Sequence, residues 1–471
     1  MPIIGRKREQ AELRRLAESA QSEFIMVYGR RRVGKTYLVR ETFKGRLAFH
    51  MTGMNDASIA EQLRNFQTSL AHAAGVESPV PESWFAAFEQ LRTFLERRSG
   101  GERIVFLDEV PWMDSKDSKF VPALEHFWND YAAATRVKLI VCGSAASWMV
   151  KKIVENHGGL HNRLTYRMKL NPLDVSETKE FLESKGIRWE NRTVAECYMA
   201  LGGVPYYLNL LSPALSLAQN MDALFFSEGP LLDGEFQSLY ASLFLHSQDY
   251  IDIVEVLSSK KVGFTREEIV AKQTHADGGG ITRRLAELEQ CGFIRKYKAL
   301  GRAQHLYQLV DFFSLFHFAF LRRGKDYDKD AWMHLQNTSA YRTWVGLGFE
   351  RFCMAHAERI KEILGIGGVG TKTYGFHSPE AQIDMVIERG DNVVNLFEMK
   401  FTELPYALEK KDAENLENKM ACLRSRLKKK QNIMNVFVTS CPMKRTPYAE
   451  RLVPRNITLD EIVDGRAMPK L

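Results

Sequence analysis

A short apolar run, Phe24-Ile-Met-Val-Tyr28, stops at a glycine and runs directly into Gly29-Arg-Arg-Arg-Val-Gly-Lys-Thr36. Nothing else in the chain restricts its fold as strongly. Five apolar residues in a row are too few for a buried helix, so they read as a strand covered on both faces. The two glycines allow a tight turn with open N–H groups, which makes the local order strand, loop, helix. Two later runs, Arg103-Ile-Val-Phe-Leu-Asp108 and Val137-Lys-Leu-Ile-Val-Cys142, have the same near-continuous apolarity. Helical patterns lie between them, as βαβ winding of a parallel sheet requires.

A loop of the form Gly-x4-Gly-Lys-Thr wraps its N–H groups around phosphate oxygens. In such a loop Gly29 and Gly34 shape the turn, Lys35 neutralises the terminal phosphate and Thr36 holds Mg²⁺. The second apolar run ends in Asp108-Glu109. Asp108 is expected to hold the same Mg²⁺ through water, and Glu109 to orient the attacking water. Together these residues predict hydrolysis of ATP with Mg²⁺ as cofactor, not binding alone.

At 471 residues the chain is longer than one core usually organises, so several domains of roughly 100 to 200 residues each are expected. With 45% hydrophobic and 26% charged residues it is expected to be folded and globular. Residues 1–172 read as the nucleotide-binding core, and 173–245, helical throughout and broken at Gly202-Gly-Val-Pro205, as a lid. Residues 246–310 carry three helical patterns and two short strands, the order of a winged helix-turn-helix. An aromatic connector follows at 311–331, and a last domain at 332–471. The six cysteines show no paired spacing, the N-terminus has no secretion segment and no apolar stretch reaches ~18 residues, so a cytoplasmic chain without a membrane partner is expected. A net charge of +7 permits a polyanionic partner without requiring one.

Ile4-Gly-Arg-Lys-Arg-Glu9, the Gly29–Thr36 loop, Leu107-Asp-Glu109, Cys142-Gly-Ser144 and Gly202-Gly-Val-Pro205 resemble the archaeal-type AAA ATPases. That resemblance implies Gly5 and Arg6 near the adenine and Ser144 as a polar sensor beside the γ-phosphate. Arg163 stands where the family tends to carry an arginine, either as an arginine finger or as a solvated surface residue. The family commonly carries a C-terminal domain of the restriction-endonuclease type.

Near the other end, Ala381-Gln-Ile-Asp-Met-Val-Ile387 alternates apolar and polar residues, Glu388–Asn392 supplies a turn, and Val393–Lys400 forms a second strand. Period two places Glu398 and Lys400 on one strand face, with Asp384 at the facing part of the neighbour. Two carboxylates can hold Mg²⁺ or Mn²⁺ against a phosphate while the lysine polarises or deprotonates water. The arrangement resembles the PD-(D/E)XK nuclease superfamily, with Ile383 at the proline position. By that resemblance Glu350 would be the helical acid.

The expected fold class is α/β: a P-loop parallel-sheet ATPase core with a helical lid, a winged helix-turn-helix and a C-terminal α/β restriction-endonuclease-like domain. The expected function is an ATPase whose nucleotide state controls a metal-dependent nuclease. Nucleic acid is the expected partner, DNA ahead of RNA, and a homo-oligomer is left open. The alternative is a nucleotide-switched DNA-binding or regulatory ATPase whose nuclease-like domain is catalytically silent. The helix Ile281–Gln290, with Arg283 and Arg284 outward, would either meet a DNA backbone or pack within the protein.

Overall fold

The computed structural model describes residues 2–98, 100–155, 158–160, 162–272, 278–300, 304–322, 331–378 and 380–465, without the side chains of Gly278 and Asp384. The chain divides into two units, Met1–Pro172 with Ser242–Leu245, and Leu173–Ala241 with His246–Leu471. Most of the expected linker after Leu321 lies outside the described residues. No described helix is long and apolar enough to cross a membrane.

Among the described residues, the first unit builds a five-stranded parallel sheet from β1 (Glu23–Tyr28), β2 (Leu47–Thr52), β3 (Ile104–Asp108), β4 (Lys138–Gly143) and β5 (Tyr166–Lys169). Its order is β2-β3-β4-β1-β5. Strand periodicity sends alternate side chains into two separate cores. Phe24 and Met26 of β1, Val105 and Leu107 of β3, and Leu139 and Val141 of β4 pack with the helices Ile59–Ala74, Trp84–Arg97 and Phe120–Asp130. Ile25, Val27, Ile104, Phe106, Ile140 and Cys142 face the helices Lys7–Glu18 and Lys35–Thr42. Burial on both faces is why these strands carry unbroken apolar runs. The strand β2, whose Leu-Ala-Phe-His-Met-Thr mixes polar and apolar residues at an edge, gave no such signal.

In the second unit, helices Val175–Ser184 and Asn191–Leu201 lead to Gly202, which closes the latter in the left-handed region at φ 69°. Gly203, at φ 65°, accepts the N–H of Leu173. A Cβ there would meet the Leu173 carbonyl oxygen at 2.2 Å, so glycine at 203 is a packing requirement. In the aromatic stretch from Phe312, the buried Phe316 and Phe320 pack edge-on or tilted against Trp332 and Trp344.

The helices Ser247–Ser258, Arg266–Lys272 and Gly278–Gln290 precede an antiparallel hairpin of β6 (Ile294–Leu300) and β7 (His305–Leu309). Ile281, Leu285 and Leu288 are fully buried, as helical spacing predicts. Their outward neighbours, however, are engaged within the unit. Arg284 pairs with Asp249, Glu287 accepts the Tyr250 hydroxyl, and Thr282 accepts from Arg266 at 2.7 Å. Arg283 remains 70% exposed. The expected pair of outward arginines is therefore a single one, because the acids of the neighbouring helix claim the other.

The hairpin does not stand alone. Strands β8 (Thr371–His377), β9 (Gln382–Arg389), β10 (Val393–Lys400), β11 (Asn432–Thr439) and β12 (Arg455–Thr458) continue it into one seven-stranded sheet among the described residues, ordered β12-β11-β10-β9-β8-β6-β7. The link is a parallel pairing of Ala299 with Gly375 and Leu300 with Phe376. The helix Lys410–Arg424 covers one face through Leu416 and Leu423.

Burial, with the Arg40 charge, lowers the His50 imidazole to about 4, and burial with Arg322 does the same to His317. An unfolded imidazole titrates near ~6.5. The folded chain therefore binds fewer protons between those values, so this stability is complete above the unfolded value and is lost as pH falls toward the folded one. Melting temperature followed from pH 8 to pH 4 is expected to drop below about pH 6.5, and His50→Asn to make that drop shallower. An identical pH profile for the variant would show that His50 is not a source of it.

Candidate functional site

Gly29 ends β1 at φ 153°, where an added Cβ would lie 2.2 Å from the carbonyl oxygen of Leu170. Only glycine lets the loop leave β1 so close to the chain beyond β5. Gly34, at φ 89°, stands before the helix Lys35–Thr42, turning its first N–H groups into the loop. Lys35 is almost fully buried. Its ammonium donates to the carbonyls of Gly29 and Arg30 at 2.9 Å each and to Ser144 Oγ at 3.1 Å. A buried cation is tolerated only with such partners, and all three are polar atoms that a phosphate can replace.

The sheet order explains the third partner. Because β4 runs between β1 and β3, the residue just past its end sits between the loop and the acids of β3. That residue is Ser144. Its N–H donates to Glu109 Oε2 at 3.0 Å and its hydroxyl donates to Glu109 Oε1. Glu109 itself adopts a left-handed backbone, φ 49°, and donates its N–H to Asp108 Oδ1 at 3.0 Å. Thr36 Oγ1 donates to Asp108 Oδ2 at 2.7 Å. These hydroxyl and carboxylate oxygens are the hard donors that Mg²⁺ prefers, and they face each other across the loop mouth. Lys35, Thr36, Asp108, Glu109 and Ser144 are thus one connected network.

The remaining N-terminal expectations are more scattered. Gly5 is left-handed at φ 65°, and its carbonyl accepts from Gln10. Arg6 is buried, donating to the carbonyls of Val33 at 3.4 Å and Asn171 at 2.5 Å and pairing with Glu9 at 3.5 Å. It braces the loop at Val33. Arg163 is exposed in the turn before β5, where its N–H meets the Leu160 carbonyl at 3.1 Å.

At the C-terminal site, β9 and β10 pair antiparallel through Phe397 with Met385. Continuing that register by one residue sets the backbone of Asp384 opposite Glu398; the Asp384 side chain lies outside the described residues. Glu398 is largely buried and Lys400 more open, with Lys400 Nζ 3.9 Å from Glu398 Oε2. Lys400 also stands over the Tyr406 ring at 5.6 Å. Its carbonyl accepts the N–H of Ser440, whose hydroxyl in turn accepts the N–H of Thr402, so the strand end is firmly held. Glu350, the expected helical acid, forms an ion pair with Lys261 at 2.6 Å. Among the described residues no three histidine, cysteine or acidic side chains form a metal cluster.

Lys419 was not foreseen. It reaches Glu398 Oε1 from the helix Lys410–Arg424. A signal existed, since Leu416, Lys419 and Leu423 share one helical stripe, so a lysine falls on the face that meets the sheet.

Residues 4–211 match a family described as an ATPase domain predominantly from Archaea. An uncharacterized protein of Methanocaldococcus jannaschii is 24% identical over 356 residues, spanning 74% of this chain and 76% of its own. Among solved structures, the Walker-type ATPase of Pyrococcus abyssi superposes with a TM-score of 0.50 at 16% identity, covering 67% of this chain and 96% of that one. The last is a likeness of fold. Residues 4–211 are therefore similar to an ATPase domain, and the match stops well before the Glu398 site.

Gly29→Ala is expected to force β1 and the Leu170 segment apart, lowering the melting temperature and weakening binding of a fluorescent ATP analogue together. Glu109→Gln keeps the shape and one acceptor for Ser144 but removes the carboxylate that would take a proton. Its phosphate release is expected to fall by about 10²–10⁴ while analogue affinity stays near wild type; hydrolysis at the wild-type rate would exclude Glu109 as the base.

Proposed function

We propose that the protein hydrolyses ATP in its N-terminal unit and that its nucleotide state controls a metal-dependent nuclease in its C-terminal unit, with DNA as the substrate class. In the first reaction Lys35 leaves its carbonyl partners for the terminal phosphate. Ser144 holds the Glu109 carboxylate where it accepts a proton from the attacking water. Thr36 and Asp108 would hold Mg²⁺, which supplies charge neutralisation on the phosphates.

The nuclease half rests on one observation, the β9–β10 register that brings the backbone of Asp384 opposite Glu398, with Lys400 two residues further on the same strand. Asp384 and Glu398 would hold Mg²⁺ or Mn²⁺, whose chemistry there is to polarise a phosphodiester and its attacking water. Lys400 is positioned to orient that water or take its proton. Basic residues stand along the same region: the Lys444 N–H meets the Tyr406 carbonyl at 2.9 Å, next to Arg445.

A second reading, a regulator with a silent nuclease-like domain, draws support from Glu398 being contacted by two lysines and from Glu350 being paired with Lys261. Cleavage assays on single- and double-stranded DNA and RNA, with Mg²⁺ or Mn²⁺ and with or without ATP, separate the two. The nuclease reading expects wild-type cleavage to be lost in Asp384→Ala and Lys400→Ala and its ATP response to be lost in Lys35→Ala. Folded wild-type protein that cleaves none of these substrates would leave the regulatory reading standing.

A further inference from the structure

Even-numbered residues of β10 face the helix Lys410–Arg424, where Val394 and Leu396 share a core with Leu416 and Leu423. Glu398 continues that parity past the end of the apolar patch, and Lys419 meets it there. The two side chains are 14% and 15% exposed, so their contact is largely shielded from water. Lys400 approaches the other carboxylate oxygen at 3.9 Å. The Glu398 carboxylate thus has two ammonium partners from different elements, in a place that is costly for charge. A structural pin between helix and strand needs only one.

An ammonium hydrogen-bonded to Glu398 occupies the lone pair that a divalent cation would take. A cation at about 2.0–2.2 Å from the same oxygen would also repel that ammonium strongly. Lysine's flexible stem lets its head move several ångströms without moving the helix.

We propose that Lys419 is a displaceable counter-ion of the C-terminal site: it holds Glu398 while no divalent cation is there, yields the carboxylate to the cation, and then presents its ammonium to a substrate phosphate beside Lys400. This inference rests on the metal-dependent nuclease reading of the same site. It adds a positioning residue from a helix to the strand residues that the spacing singled out.

The test is Mn²⁺ binding to full-length, nucleotide-free protein carrying Asp108→Asn throughout, which silences the N-terminal site, followed by the electron paramagnetic resonance signal of free Mn²⁺. Lys419→Met removes the competing charge and is expected to tighten binding roughly fivefold, whereas Lys419→Arg should not tighten it. Glu398→Gln should abolish the binding. With Mn²⁺ present, Lys419→Met should also weaken binding of a phosphorothioate duplex and lower its salt dependence by about one phosphate contact. Lys419→Gln, which keeps a hydrogen-bond donor, serves if the methionine variant does not fold by thermal melting. If Glu398→Gln abolishes Mn²⁺ binding but neither uncharged variant tightens it, Lys419 is a pin and the inference fails alone. An unweakened duplex affinity removes the phosphate role. Mn²⁺ binding that is indifferent to Glu398→Gln overturns the inference and the nuclease reading together.

Discussion

A buried ammonium at the carboxyl ends of a parallel sheet organises the first unit. Lys35 is withdrawn from water, and a lone cation there would be strongly destabilising, so the surrounding chain must present oxygen atoms to it. Two come from the loop's own carbonyls and one from Ser144 at the end of β4. Meeting that demand fixes the loop against the sheet and, through Ser144, fixes Glu109. A phosphate that takes over Lys35 thereby reaches the group that would handle its attacking water. Lys35 and Glu109 are linked through a single serine.

Glu398 presents the complementary case, a largely buried carboxylate that demands cations. Its environment answers with Lys419 and Lys400 from different elements. In both places the charges stand near strand ends, where side chains of adjacent strands converge. The hairpin β6–β7, joined to β8, extends the sheet that holds Glu398 far beyond the strands that form the site.

Much of this was legible beforehand. Phe24–Tyr28, Ile104–Asp108 and Lys138–Gly143 announced themselves because both their faces are buried, leaving no polar residue to interrupt them. The hairpin with Asp384 and Glu398 was legible from period two and its turn residues. The edge strand β2, interrupted by His50 and Thr52, carried no comparable pattern, and Lys419 has no strand spacing to single it out. Arg284 and Glu350 looked like outward or site-facing charges, yet Asp249 and Lys261 claim them. Which opposite charge lies nearest is a property of packing, not of spacing.

By itself the sequence determined the elements whose signals are local: the glycine-bounded loop, the apolar strands, the acids and lysines spaced along single strands. Such features follow from backbone geometry within a few residues. Only the tertiary structure decided that β4 separates β1 from β3, so that Ser144 bridges Lys35 to Glu109, and that the helix Lys410–Arg424 delivers Lys419 to Glu398. Strand order and helix placement minimise exposed apolar surface over the whole unit, and no local periodicity carries that sum.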